Sequence, residues 1–372
     1  MKIPSPCFVL DEARLIRNLK LMKEVQQQSG ASIILAFKGF AMWSAFPQVK
    51  NYLVGATASS LHEARLCFEE MGSRAHTYNV AYEDHSFDEI VRLSSHITFN
   101  SIAQFEQYKN RVTGDVSIGL RVNPGWSDVE VDLYNPSSST SRLGISSEAF
   151  PQELPEKVEG LHFHVLCESS AEALVQVLEN FEKRFGHLLG QIKWVNMGGG
   201  HLMTRKDYNV PLLIKTLKEF RQKHNVEVIL EPGSAVAWET GDLYASVLDI
   251  VDNGGTKTAI ADISFTCHMP DCLEMPYKPR ITGSSKEPGV NQHAYRIGGV
   301  SCLAGDFMSE YGFDQPLSVG DQLIFEDMIH YTMVKTSVFN GVRHPSIGII
   351  KQDGKFELVR EFGYNDYKSK LS

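Results

Sequence analysis

Over the first two-thirds of the chain, short apolar or β-branched runs alternate with stretches of helical period. This alternation constrains the fold more than any other feature. Strands are expected at 33–37, 52–57, 75–80, 96–100, 116–122, 160–165, 193–197 and 227–231. A helix is expected at 11–28, with Leu15, Leu19 and Met22 at helical spacing, and another at 59–71, with a serine cap and Glu63 behind it. Further helices are expected at 87–94, 102–108, 171–189 and 212–223. Strands that alternate with helices imply a parallel sheet with crossover helices. About eight such units in roughly 230 residues is the size of a (β/α)8 barrel. A doubly wound open sheet is the alternative, because buried parallel strands read alike in both.

After Glu231 the texture changes. Short β runs dominate at 246–251, 258–261, 293–297, 322–326 and 346–351. Turn clusters separate them, at Asn253-Gly254-Gly255, Asn291, Ser318-Val319-Gly320-Asp321 and Gln352-Asp353-Gly354. The pattern predicts an antiparallel β domain, a barrel or a sandwich. The expected division is a (β/α)8 barrel over 11–240 and a C-terminal β domain over 241–372. A strand-like run at 7–10 precedes the barrel, and residues 1–10 are a candidate to join the second domain.

The 372 residues suit two domains, and 42% hydrophobic with 22% charged residues is an ordinary globular balance. The net charge of −9, without any block of like charge, argues against nucleic acid as the main ligand. No apolar run approaches a membrane span, and the N-terminus lacks the apolar core of a signal peptide. Cys7, Cys67, Cys167, Cys267, Cys272 and Cys302 show no paired spacing, so reduced thiols and a cytoplasmic location are expected.

In a (β/α)8 barrel, chemistry gathers at the C-terminal ends of the strands. Lys38 follows the first apolar strand, where burial lowers an amine's pKa and readies it for Schiff-base chemistry. A lysine snorkelling at the barrel rim is the bland alternative. His162 and His164 close the sixth strand on one side, as metal-ligand spacing with Cys167 nearby, as an imidazole stacked on a flat ring, or as satisfied structural histidines. Gly198-Gly199-Gly200-His201 follows the seventh strand, where a glycine loop lets backbone N–H groups approach an anion. Glu231-Pro232-Gly233 follows the eighth, where a carboxylate suits a pyridine nitrogen, although such a tripeptide is commonly just a turn. In the second domain, Cys302 precedes Asp306 in a short loop, and Tyr331 is either a hydroxyl donor or a core aromatic.

Together these positions resemble the fold type III pyridoxal-phosphate (PLP) decarboxylases, the group of ornithine, diaminopimelate and carboxynorspermidine decarboxylases. The segments that carry the resemblance, over nearly the whole chain, are 36–40 (Ala-Phe-Lys-Gly-Phe), 161–168, 197–202 and 265–271. They are most similar to the carboxynorspermidine/carboxyspermidine branch. The resemblance implies pyridoxal 5'-phosphate as cofactor, Lys38 as its Schiff-base lysine and His164 stacked on its ring. Gly198, Gly199, Gly200, Gly233 and Tyr331 are implied at the phosphate, and Glu231 at the pyridine nitrogen. Cys302 is implied to enter from the second subunit of a homodimer and to help return a proton. The implied reaction is decarboxylation of carboxynorspermidine or carboxyspermidine in polyamine biosynthesis. A long cationic substrate needs carboxylates away from the reacting carbon, and Glu239, Asp271 and Asp306 are expected to supply them.

Two loops depart from the ornithine-type pattern. Ser234 stands where those enzymes carry arginine, and Leu166-Cys167-Glu168 where they carry a Gly-Ser-Gly loop, so the phosphate contacts must differ. The competing readings are another enzyme of this fold type (a diaminopimelate or ornithine decarboxylase, or an amino-acid racemase), a zinc hydrolase using His162 and His164, and a catalytically silent homologue.

Overall fold

The structure is a computed structural model, described for residues 2–129, 135–289 and 292–372; the turn expected at Asn291 lies outside these. The chain divides into two compact units, Ile16–Val236 and Met1–Leu15 with Ala237–Ser372.

Strand β1 (Cys7–Asp11) opens the chain. The barrel unit then holds β2 (Ser32–Ile33), β3 (Leu35–Ala36), β4 (Ala56–Ala58), β5 (Ala75–Tyr78), β6 (Ser94–Phe99) and β7 (Ser117–Asn123). The short β8 (Ile145–Ser146), β9 (Val158–His162), β10 (Trp194–Asn196) and β11 (Glu227–Leu230) complete it. Every pairing in this sheet is parallel, and β8 adds to β7 off the main path. β2 pairs β11 while β3 pairs β4, and only Ile34 separates β2 from β3. They are two parts of one strand that turns its hydrogen bonds from one neighbour to the other. Ile34 N–H donates to Leu230 at 2.9 Å and Leu35 N–H to Gly55 at 3.0 Å. The ring is thus the eight-stranded barrel expected from the sequence, not an open sheet.

Residue size explains the packing. Ile33, Ile34, Leu35, Ala36 and Phe37 are all buried, as a parallel strand covered on both faces requires. Trp194 fills space that glycines leave open. A Cβ on Gly119 would stand 2.3 Å from its ring, and one on Gly160 2.1 Å. The expected helix at 59–71 begins with Ser60 accepting Glu63 N–H at 3.1 Å, while Glu63 Oε2 accepts Ser59 N–H at 2.6 Å. The strand expected at 52–57 is realised only as β4. Phe46–Val49 is a helical turn opened by Pro47, and the N–H groups of Tyr52 and Leu53 both donate back to Val49.

The second unit is a mixed sheet. Its strands after β1 are β12 (Gly241–Asn253), β13 (Thr256–Ala261), β14 (Ser284–Ser285), β15 (His293–Gly298) and β16 (Phe307–Phe313). β17 (Gln322–Phe325), β18 (Ser346–Ile350) and β19 (Phe356–Arg360) follow. Most pairings are antiparallel, as expected, but β1 runs parallel to β18 and β13 parallel to β15. β1 also pairs antiparallel with β12. β16 and β19 carry polar residues at partly exposed positions, so their sequences lack the clean apolar alternation that marks a strand.

Candidate active site

Lys38 stands in a turn directly after β3, with Gly39 and Phe40 N–H groups donating back to Ala36. The Glu231-Pro232-Gly233 segment lies against this turn. Ala36 N–H donates to Pro232 at 3.1 Å, and a Cβ on Gly39 would come within 2.7 Å of Gly233 Cα. The sequence separates these segments by almost the whole barrel, and its closure between β2 and β11 joins them.

Lys38, His162, His164 and Glu231 line one cavity of about 330 Å3, together with Thr57, Tyr78, Arg121 and Arg142. A volume of this size is at the lower end of small-molecule sites. The Lys38 side chain lines this cavity. Burial first, and then the Arg121 charge, push its amine down to about 8.

Hydrogen bonding orders the site further. Gly199 N–H donates to His164 Nδ1 at 2.9 Å, so the proton of the neutral ring lies on Nε2. Nε2 is 3.1 Å from Lys38 Nζ, which then accepts with its lone pair. Burial, followed by the Lys38 and Arg121 charges, holds His164 neutral, well below the usual histidine range. The same tautomer disposes of the zinc reading. The ligand atoms of His162, His164 and Glu231 do lie within 4.8 Å of one another, but a protonated Nε2 has no lone pair for a metal.

Glu231 is 6% exposed. Asn196 Nδ2 donates to its Oε1 at 2.6 Å, and His162 Nε2 lies 3.7 Å from its Oε2. Burial raises the carboxyl pKa, with the Asn196 bond and the Lys38 charge opposing. A buried carboxylate so placed is completed by a cation. Arg121 is also buried; it donates to the His164 carbonyl at 3.0 Å and lies 4.6 Å over the Tyr78 ring.

The glycine loop is shaped by close approach. Gly198 and Gly200 have φ of 66° and 88°, and a Cβ on Gly199 would meet Glu231 O at 2.4 Å. Its donors are partly committed, however. Gly198 N–H donates to Asn196 Oδ1 at 2.9 Å and Gly199 N–H to His164. Two of the three glycine N–H groups therefore order Asn196 and His164.

In the β unit, Cys302 is exposed in its loop, and its N–H donates to Asn340 Oδ1 at 2.8 Å. Asp306, 4% exposed, accepts the N–H groups of Thr266 at 3.1 Å and Ser301 at 3.2 Å. Asp306 therefore anchors the Cys302 loop, and the expectation that it supplies charge to a substrate loses its footing. Asp271 Oδ2 accepts the Tyr277 hydroxyl at 2.7 Å and the Thr332 hydroxyl at 2.9 Å, while its buried Oδ1 has no hydrogen-bond partner among the described residues. Glu239 is exposed at φ 53°, with its Oε1 3.7 Å from Arg280 Nη2. Tyr331 is half-buried at φ 51°, edge-on to His330.

Sequence reasoning missed Arg121 and Asn196. Each is a polar residue inside an apolar strand, Gly119-Leu120-Arg121-Val122 and Trp194-Val195-Asn196-Met197. A charge or amide on a buried strand is the signal that would have found them.

Residues 7–329 match the family model described as pyridoxal-dependent decarboxylase, C-terminal sheet domain. The chain belongs to the pyridoxal-dependent decarboxylases. This decarboxylase is 49% identical over 371 residues to carboxyaminopropylagmatine decarboxylase of Synechocystis, covering 99% of this chain and 96% of that one. It is 44% identical to carboxynorspermidine/carboxyspermidine decarboxylase of Campylobacter jejuni, covering 98% of each. The crystal structure of carboxynorspermidine decarboxylase from Campylobacter jejuni, complexed with norspermidine, superposes with a TM-score of 0.92. It shares 42% identity and is covered over 99% of this chain and 100% of that one. The expected (β/α)8 barrel with a C-terminal β domain is therefore the architecture of this family. No helix of the decarboxylase, among the described residues, is long and apolar enough to cross a membrane.

Proposed function

We propose that this decarboxylase holds pyridoxal 5'-phosphate at the barrel mouth and removes CO2 from a carboxylated polyamine, carboxynorspermidine or carboxyspermidine, in polyamine biosynthesis. The observation that carries the reading is that Lys38 Nζ, 3.1 Å from His164 Nε2, shares one cavity with the buried carboxylate of Glu231. When bound, the cofactor supplies an aldehyde for an amine and a ring that accepts the electron pair left by CO2. The residues fit such a group. Lys38 offers a nucleophilic amine near neutral pH. Glu231 would hold a proton at the ring nitrogen, and His164, fixed by Gly199, would lie against the ring. Gly200, Gly233 and Tyr331 are assigned to the phosphate.

Cys302 is assigned the return of a proton to the substrate carbon, from the second copy of a homodimer. Its exposure supports this, and so do exposed Leu303 (46%) and Phe339 (48%), the latter next to Asn340. Glu239 and Asp271 are assigned to the distal amines.

The 49% identical relative favours a second reading, a substrate ending in guanidinium rather than ammonium. A guanidinium prefers both oxygens of a carboxylate, whereas an ammonium is a point charge. Among the described residues, Asp271 keeps Oδ1 alone without a partner, which suits the ammonium.

The test is CO2 release by PLP-supplied protein from carboxynorspermidine, carboxyspermidine, carboxyaminopropylagmatine, ornithine and meso-diaminopimelate. Release from the first two, abolished in Lys38→Ala, supports the proposal. Release from carboxyaminopropylagmatine alone transfers it to the second reading, and release from ornithine or diaminopimelate alone overturns the substrate. Asp271→Asn is expected to raise KM for the carboxypolyamine about tenfold, equivalent to one charge-assisted hydrogen bond. An unchanged KM removes Asp271 from the assignment.

A further inference from the structure

His162 closes β9 and is 2% exposed, yet neither of its ring nitrogens has a hydrogen-bond partner among the described residues. A phenylalanine would fill the same space without stranding two polar atoms, so this position calls for a reason. The ring stands edge-on to Tyr78, with centroids 5.4 Å apart, and its Nε2 is 3.7 Å from Glu231 Oε2. Asn196 already occupies the other carboxylate oxygen, and the Lys38 charge, the Thr57 side chain and the Arg121 charge also favour the ionised form.

We propose that His162 is the positioning residue for Glu231: its ring offers Nε2–H to Oε2 and holds the carboxylate ionised without cancelling its charge. The proposal rests on the reading that Glu231 faces a protonated ring nitrogen of the cofactor. An arginine or lysine at this position would pair with Glu231 and spend the negative charge that the ring nitrogen needs. A neutral N–H donor stabilises the anion and leaves that charge available.

The surroundings keep His162 neutral. Lys38 follows β3, His76 lies on β5 and Arg121 on β7, and with burial all three disfavour a further positive charge on the ring. His164, two residues on, is neutral for the same reasons. Tyr78 makes a T-shaped contact with the ring, and Glu231 is the carboxylate nearest its Nε2 here. An ionised carboxylate only accepts, so the proton of the neutral ring belongs on Nε2.

The test measures the PLP dissociation constant of apoprotein across pH by equilibrium dialysis, for wild type, His162→Leu and His162→Gln. Loss of the donor makes Glu231 easier to protonate, and protonated Glu231 no longer attracts the ring nitrogen. The pH at which PLP binding falls off is expected to rise by about one unit in His162→Leu, with the two proteins binding alike at high pH, the signature of a rise in the Glu231 pKa. His162→Gln retains a neutral N–H and is expected to reverse most of the shift. In a Glu231→Gln background, His162→Leu is expected to add nothing. A His162→Leu profile that tracks wild type, or a Gln variant as weak as Leu, overturns the proposal. If His162→Leu does not fold, 15N NMR of histidine-labelled wild type decides. A neutral Nε2–H ring at neutral pH supports the proposal, and an imidazolium or an Nδ1–H ring overturns it. Wild-type protein that binds no PLP at any pH fails earlier and overturns the cofactor reading beneath it.

Discussion

Two pairs of histidines on the barrel strands differ in what their nitrogens face. His76 on β5 and His96 on β6 stand opposite each other in register, their rings stacked at 3.8 Å. His96 also meets Trp194 edge-on at 5.3 Å, and its Nδ1 is 3.1 Å from Ser95 Oγ. His162 and His164 lie at the end of β9 and just beyond it, and line the cavity with Lys38 and Glu231. Burial keeps all four neutral. It pushes His96 down to about 4 and holds the other three well below the usual histidine range. A depressed histidine pKa is therefore no mark of chemistry in this fold. The pair near the starts of its strands is consumed by packing. The pair at the strand ends keeps one ring bonded to an amine and the other beside a carboxylate.

The sharpest way to break this contrast is to remove what the second pair serves. Lys38→Ala is expected to lower CO2 release by on the order of 10^3-fold or more, as loss of a covalent anchor does. The same variant is expected to lose the rise in Tm that PLP gives wild type, because a ligand stabilises only a protein that binds it. Its apoprotein Tm should stay near wild type, since Lys38 is an exposed residue. Activity that survives in Lys38→Ala removes the functional reading of the strand-end pair. His164→Ala comes next, with a loss of roughly 10^2-fold, the scale of one preorganised group at a reacting centre. His164→Ala activity near wild type would make His164 as structural as His96.

The same contrast explains what was legible in the sequence. Strand periodicity located the barrel because parallel strands must be apolar on both faces. Lys38, His164, Glu231 and the glycine loop stood out because each is chemically odd directly after such a strand. The sequence could not show that Gly198 and Gly199 spend their N–H groups on Asn196 and His164, because that depends on loop geometry at positive φ. Asp306 misled for a related reason. Its carboxylate satisfies the backbone N–H groups of Thr266 and Ser301, one of them 40 positions away in the chain. Nor could spacing distinguish His76 from His162. Both lie on barrel strands, and only the neighbours brought by β6 and β11 separate them.

His96→Ala tests the packed pair. It removes a ring stacked on His76 and set against Trp194, so a loss of about 2–3 kcal/mol in unfolding free energy is expected, in line with large-to-small core changes. CO2 release per folded molecule, measured with saturating PLP below the new Tm, should stay within about twofold of wild type, the scatter ordinary for distant and uncoupled sites. A drop beyond tenfold, with the cofactor still bound, would carry the packed pair into the chemistry and dissolve the comparison.

The smallest effect is an acid one, and its sign follows from the direction of the shift. Folding lowers the His96 pKa from 6.5 to about 4, so between these values the unfolded chain binds the proton and the folded chain does not. The contribution of His96 to stability is therefore complete above about pH 6.5 and is lost progressively as pH falls towards 4, on the order of 1 kcal/mol between pH 7 and 5.5. His76, His162 and His164 are depressed in the same direction and add to the slope. Urea unfolding at a series of pH values separates them. The His96→Ala curve should be flatter than wild type across this window, while the pH profile of CO2 release keeps its shape. If the stability curves run parallel, His96 is not the group that titrates. If instead the activity profile moves with His96→Ala, protons at the packed pair are felt at the cavity, and the two pairs act as one.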